Sequence, residues 1–250
     1  MRVILSGGGS GRGQVRKAAI HSKRTREPSM DLRLIYVDLP FWRAEVSRVT
    51  LHIGGIAFED RRITSDEFQK AKETGYLLDG TRLPFHQIPC LIADGVSIAQ
   101  TGGIARFCGK LAGLYPKDDD LKAAQIDQFV DLATDLNIMV SKTSSIENPS
   151  EKIAARKELA DGLLARKLAM LERCIPEGSD WIIGPQITIA DVAIWRLLGW
   201  FTSGILDGLP TDLLKNFPKI RQVCLAVDSH PKVCDWIARN YPENYNRGQY

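Results

Sequence analysis

Two regimes of hydrophobic patterning divide the chain. Leu32 to Val37 (LRLIYV) is almost continuously apolar over six positions, as expected of a short strand buried on both faces. Arg43 to Ile53 follows as a helix, with Val46, Val49, Leu51 and Ile53 as its apolar positions. Ile56 to Ile63 reads as a second strand that runs out into charge, Ser65 to Glu73 as a polar helix or turn, and Thr74 to Arg82 as a loop. Leu91 to Ala93 and Val96 to Ile98 form two short apolar runs joined at Asp94-Gly95, a hairpin signal. Gln100, Thr101 and Gly102 come directly after the hairpin, and Ile104, Phe107, Cys108 and Leu111 then recur at helical spacing. Pro116 breaks that helix and makes Leu114-Tyr115-Pro116 the expected linker.

From Asp118 onward the period is helical throughout. Leu121, Ala124, Phe129, Leu132, Leu136 and Met139 mark one long helix, and Glu151 to Arg173, with Ile153, Leu159, Leu163, Leu168 and Leu171, marks a second. Two long neighbouring helices suit an antiparallel bundle. In GPQITIADVAIWRLLGW, Thr188 is an N-cap and Asp191, three residues on, completes a capping box; Ile187 and Val192 are placed for a hydrophobic staple. The expected fold class is α/β plus all-α, a small sheet-and-helix unit followed by a helical bundle.

Charge and composition narrow the function classes. Seven of the 33 basic residues but only one of the 30 acidic residues (Glu27) lie in the first thirty positions, so the overall charge of +3 hides a mildly acidic body. That gives no argument for nucleic-acid binding. The five cysteines and four histidines show no metal-ligand or disulfide-framework spacing, and the cysteine usage fits a reducing, cytoplasmic compartment. No apolar run reaches the roughly 18 residues of a membrane span. VILSGGGSGRGQVRKAAI looks like a strand, glycine loop and helix, but the G-x-G-x-x-G spacing fails. Residues 1–30 therefore read as a basic flexible extension, with organelle targeting as an alternative.

The hairpin and the helix after it carry the chemistry. Pro89 lacks a backbone donor and leaves Ile88 free to pair with an extended peptide. The helix start at Gln100-Thr101 offers unpaired N–H groups to a carboxylate. LPFHQIPCLIADGVSIAQTGGIARF, from Leu83 to Phe107, resembles the glutathione site of the cytosolic glutathione transferases. The likeness extends from about Leu32 to about Tyr241 and is nearest the sigma-type enzymes, which carry an active-site tyrosine.

The resemblance implies a thioredoxin-like N-terminal domain over residues 31–113, an all-helical C-terminal domain over 114–250, and a homodimer. It implies glutathione as co-substrate, no metal, and a detoxifying conjugation of the thiolate to a hydrophobic small-molecule electrophile. Tyr36 would stabilise the thiolate and Arg43 would order the thiol site. Gln100 and Thr101 would take the γ-glutamyl carboxylate, Ile88 the cysteinyl backbone, beside Pro89 as the cis-proline. Phe68, Lys72 and Gln87 would lie at the glycyl end, and Asp135 would reach the γ-glutamyl amine bound to the neighbouring subunit. Leu39, Phe41 and Met139 to Thr143 would border the second-substrate pocket. Relative to the sigma pattern, the loop after Tyr36 is one residue longer and contains Asp38-Leu39-Pro40, Phe68 replaces a tryptophan, and the Thr74–Arg82 segment is longer. A glutathione-dependent isomerase of prostaglandin-synthase type and a non-catalytic binding protein are the alternatives.

Overall fold

The structure, a computed structural model, describes residues 30–250. The glycine-rich, basic segment before Met30 lies outside the described residues. Strand β1 (Leu32–Val37) is central in a four-stranded sheet. It pairs in parallel with β2 (Glu59–Ile63) and antiparallel with β3 (Cys90–Ala93), which pairs antiparallel with β4 (Val96–Ala99). A parallel pair needs a crossover, and α1 (Trp42–Ile53) supplies it. The apolar run of β1 has its reason here. Leu32 and Leu34 pack with Leu91 and Ile104 on one side, while Ile35 packs with Ile63, Leu77 and Leu83 on the other.

β2 begins at Glu59, later than the sequence pattern implies, because Ile56 and Phe58 pack on the core beside the sheet without pairing in it. The polar segment after β2 is a true helix, α2 (Ser65–Thr74), capped by the Thr64 hydroxyl, which accepts the Glu67 N–H at 3.1 Å. It stops at Gly75, whose φ of 78° is the left-handed conformation that glycine takes at least cost. After the hairpin comes α3 (Thr101–Ala112).

The helical part contains α4 (Asp120–Ser141), α5 (Pro149–Leu159), α6 (Ala165–Cys174), α7 (Ile189–Phe201), α8 (Pro218–Asp228) and α9 (Pro231–Asn240). One expectation is corrected. The single helix over 151–173 is α5 and α6 joined by a π-helical turn, Ala160–Leu164, where Gly162 takes φ −105° and ψ −105°. The segment Leu114-Tyr115 follows the end of α3 with both side chains buried, and Leu114 O accepts the Ile189 N–H at 3.2 Å. A Cβ at Gly109 would come within 2.8 Å of both Ile189 and Tyr115, so this glycine lets α3 approach α7.

Every residue from Ile189 to Gly199 in α7 is buried. Asp191 caps it as the sequence implies: its carboxylate accepts the Thr188 N–H at 2.7 Å and the Thr188 hydroxyl at 2.8 Å, and also the Ile182 N–H at 2.7 Å. Trp42, Val46, Val49 and Ala105 of the sheet part belong to the same core as α7, and Trp42 Nε1 donates to Asn137 Oδ1 of α4 at 2.9 Å. Among the described residues no helix is long and apolar enough to cross a membrane.

Candidate active site

A cleft of about 580 Å³ opens between the sheet edge and α4. Eight of the ten residues expected at the site line it: Tyr36, Arg43, Phe68, Gln87, Ile88, Pro89, Gln100 and Thr101. Tyr36 stands next to last in β1, at the end of the strand that leads into the loop before α1. It is only 7% exposed, and burial pushes its phenol up to about 12, against the pull of the nearby Arg43 and Arg48 charges. At neutral pH the phenol is therefore a hydrogen-bond donor. Arg43, at the start of α1, is partly buried, which lowers its pKa.

The hairpin side of the cleft is built from backbone. The Ile88–Pro89 peptide is cis. Gln100, the residue before α3, is held at φ 71°, ψ 126°, and its side chain makes no capping bond to the helix. Such a conformation in a non-glycine residue costs of order 1–3 kcal/mol and persists only where the surroundings enforce it. Thr101 is buried, and its hydroxyl has no hydrogen-bond partner among the described residues. A hydroxyl and the N-terminus of a twelve-residue helix thus sit in one wall of the cleft, a setting that favours an anion.

Lys72 and Asp135 do not line this cleft. Lys72 places its ammonium 4.8 Å from the centroid of the Phe68 ring, one helical turn away on α2. Asp135 is exposed on α4. Thr134 and Ile138, which do line the cleft, are four residues apart and share a helix face, whereas Asp135 is rotated about 100° from Thr134.

The second-substrate wall differs from expectation. Phe41 is turned against Trp200, with ring centroids 4.8 Å apart and an interplanar angle of 88°. The Thr143 hydroxyl is taken up by Val140 O and by Arg156 Nε. Val37, Ala99, Thr134 and Ile138 supply the remaining lining. The helical period of α4 contains Thr134 and Ile138, but nothing local distinguishes that face from its neighbours.

Comparison with known proteins agrees with the geometry. Residues 134–240 match the family described as Glutathione S-transferase, C-terminal domain. Glutathione S-transferase 1 of Ascaris suum is 28% identical over 211 residues, covering 82% of this chain and 95% of the relative. Glutathione S-transferase A3 of Homo sapiens is 26% identical over 201 residues, 80% of this chain and 85% of that protein. The solved structure of rat hPGDS complexed with a quinoline superposes with a TM-score of 0.70 at 26% identity, over 86% of this chain and 100% of the other. The Pi-class glutathione S-transferase of Onchocerca volvulus gives 0.67 at 26% identity, over 88% and 100%. The chain thus has the fold of these proteins along nearly all of its described length, and residues 134–240 match the glutathione S-transferase C-terminal domain. It is a glutathione transferase enzyme; the relatives are mammalian and nematode transferases and do not single out the sigma type.

Proposed function

We propose that this chain is a tyrosine-type transferase, nearest the sigma class, in which the Tyr36 hydroxyl donates to the glutathione thiolate and the thiolate attacks a hydrophobic electrophile. The observation that carries the reading is the convergence of a buried neutral phenol, a cation and an unpartnered hydroxyl at a helix N-terminus on one cleft. A free cysteine thiol has a pKa of about 8.5. A donor to the charged form and a nearby Arg43 charge both lower it. Thr101 and Gln100 receive the γ-glutamyl carboxylate, Ile88 pairs with the cysteinyl backbone before Pro89, and Gln87 with Phe68 and Lys72 meets the glycyl end. Val37, Thr134 and Ile138 give the electrophile an apolar border.

We place the boundary between glutathione-binding and helical domains at residues 113 and 114, and take the working form to be a cytoplasmic homodimer. Asp135, exposed on α4, is free to face the site of the partner subunit. Phe85, 59% exposed two residues before the cleft-lining Gln87, gives an apolar surface for that contact. A glutathione-dependent isomerase is the second reading, favoured by the likeness to hPGDS. Glutathione-affinity capture, followed by product analysis on a chloro-nitrobenzene and, separately, on an isomerisable β,γ-unsaturated ketone, separates the possibilities. Conjugation consumes glutathione stoichiometrically, isomerisation returns it, and a binding protein is retained with no turnover.

Thr101→Val tests the anion subsite. It removes a hydroxyl that has no intramolecular partner among the described residues, so the fold should keep its melting temperature. A hydrogen bond to a charged group is worth about 1.5–3 kcal/mol, so KM for glutathione should rise by about tenfold or more. An unchanged KM places the carboxylate elsewhere.

A further inference from the structure

The loop between Tyr36 and α1 is gripped by its carbonyls. Leu39 O accepts from Arg48 Nη1 at 3.1 Å. Pro40 O accepts from Arg196 Nε at 2.9 Å and from the Tyr245 hydroxyl at 3.2 Å. Both arginines are fully buried. Arg48 is balanced by Glu45 and Asp60, and its guanidinium lies 5.8 Å from the Tyr36 ring centroid. Arg196 is different: among the described residues no carboxylate pairs with it. Its other donors go to Tyr245 Oη at 2.6 Å and Arg247 O at 3.3 Å, and it lies over the rings of Tyr241 and Tyr245. Burying a guanidinium without a counter-charge is expensive, and the hydrogen bonds of this one tie the Pro40 carbonyl to Tyr245 and Arg247 of the C-terminal segment.

Tyr245 belongs to the segment after α9, residues 241–250, which is itself firmly seated. Gly248 packs against Gly199 of α7 so closely that a Cβ on either glycine would strike backbone of the opposite segment. Gln249 N donates to Thr202 Oγ1 at 2.9 Å, and the Tyr250 hydroxyl donates to Trp195 O at 3.3 Å. The segment thus holds Tyr245, Tyr245 and Arg196 hold Pro40, and Pro40 lies midway between Tyr36 and Arg43.

We propose that Tyr245, backed by Arg196, is a positioning residue for the thiolate-stabilising phenol: the segment after α9 sets the conformation of the Asp38–Phe41 loop and through it the aim of Tyr36. The inference rests on the Tyr36 reading above. A displacement of about 1 Å in a catalytic group costs up to about a hundredfold in rate, so the anchoring of this loop bears directly on the chemistry.

Tyr245→Phe keeps the ring and removes only the hydroxyl. Ultraviolet titration of the enzyme-bound glutathione thiolate reads the effect. The bound thiol pKa should rise by about half a unit to one unit, with a threefold to tenfold loss of kcat/KM below that pKa. Glutathione affinity should change less than twofold. Gly199→Ala, which lifts the segment without touching the cleft, should shift the thiol pKa in the same direction. In a Tyr36→Phe background, Tyr245→Phe should cost nothing further. If Tyr245→Phe and Gly199→Ala lower the melting temperature but leave the thiol pKa at the wild-type value, or if Tyr245→Phe costs the same factor with and without the Tyr36 hydroxyl, the segment is structural only and the inference fails. A Tyr36→Phe single variant with a wild-type thiol pKa is a separate outcome: it removes the Tyr36 reading itself, and this inference with it.

Discussion

Tyr36→Phe should leave an enzyme that still binds glutathione but conjugates it about a hundredfold more slowly below the pKa of the bound thiol, and about 25-fold more slowly at pH 7. The magnitude follows from the thiol. Losing the donor returns the pKa toward the free value of about 8.5. A thiol pKa higher by about two corresponds to about 2.7 kcal/mol, a hundredfold in thiolate at a pH below both values. Burial pushes the phenol itself up to about 12, so an ionisation in the rate profile between neutral and mildly alkaline pH does not belong to Tyr36. The ascending limb of the wild-type profile should therefore move to higher pH in the variant while the rates converge at alkaline pH. Glutathione affinity should fall only slightly, because the carboxylate and backbone contacts proposed at Thr101, Gln100 and Ile88 would be untouched. A variant with wild-type rates across the profile removes Tyr36 from the chemistry.

Asp191→Ala should be the most damaging substitution for stability outside the cleft. The carboxylate is fully buried at the start of the most buried helix. It accepts three hydrogen bonds, from the Ile182 and Thr188 N–H groups and the Thr188 hydroxyl. Two effects oppose each other. Burial outweighs those hydrogen bonds and raises the acid from 3.8 to about 6, so the ionised form carries a penalty of about 3 kcal/mol relative to the protonated one. Deletion, however, strands three buried donors at about 1–3 kcal/mol each and opens a cavity. The second effect wins, with a net loss of about 3 kcal/mol. For a chain of this size that is a fall of roughly 6–12 °C in melting temperature.

The folded state holds the Asp191 proton more tightly than the unfolded state, because the folded pKa is the higher one. The contribution of this group is thus most favourable below about 4, declines as pH rises from about 4 to about 6, and is constant above. Asp191→Asn removes that dependence. It is also destabilising at neutral pH, since an amide offers one oxygen where the carboxylate uses two. Urea denaturation of both variants at pH 4, 6 and 7.5 checks magnitude and sign. A loss below about 1 kcal/mol for the alanine variant means that water replaces the carboxylate.

What could be read from the sequence was what is local in the chain. β1 announced itself because both faces of the strand are covered, the hairpin because Asp94-Gly95 supplies two left-handed residues, and the α7 cap because its partners are three residues apart. The cleft residues at the end of β1, in the segment before β3 and at the start of α3 came from a single strand end and one continuous motif. What stayed hidden depends on distance or on small local balances. Arg196 meets Pro40 across 156 positions. The amphipathic pattern of α4 did not reveal that Thr134 and Ile138 would face the cleft, and Thr143, just past the end of α4, is drawn away by Arg156 of α5. The apolar period of residues 151–173 runs unbroken through Gly162, so the π turn there left no periodic trace. Leu114 and Tyr115 stand before a proline, yet their burial is decided by α7, more than seventy positions away.

The proposed chemistry requires the Tyr36 hydroxyl to point at the sulfur of a glutathione held between Ile88 and Thr101. A crystal structure of the glutathione complex measures this directly. The sulfur should lie within about 3.5 Å of Tyr36 Oη, inside hydrogen-bond reach, with the γ-glutamyl carboxylate on the Thr101 hydroxyl. Glutathione bound with its sulfur more than about 5 Å from that oxygen, facing a different donor, contradicts the proposal.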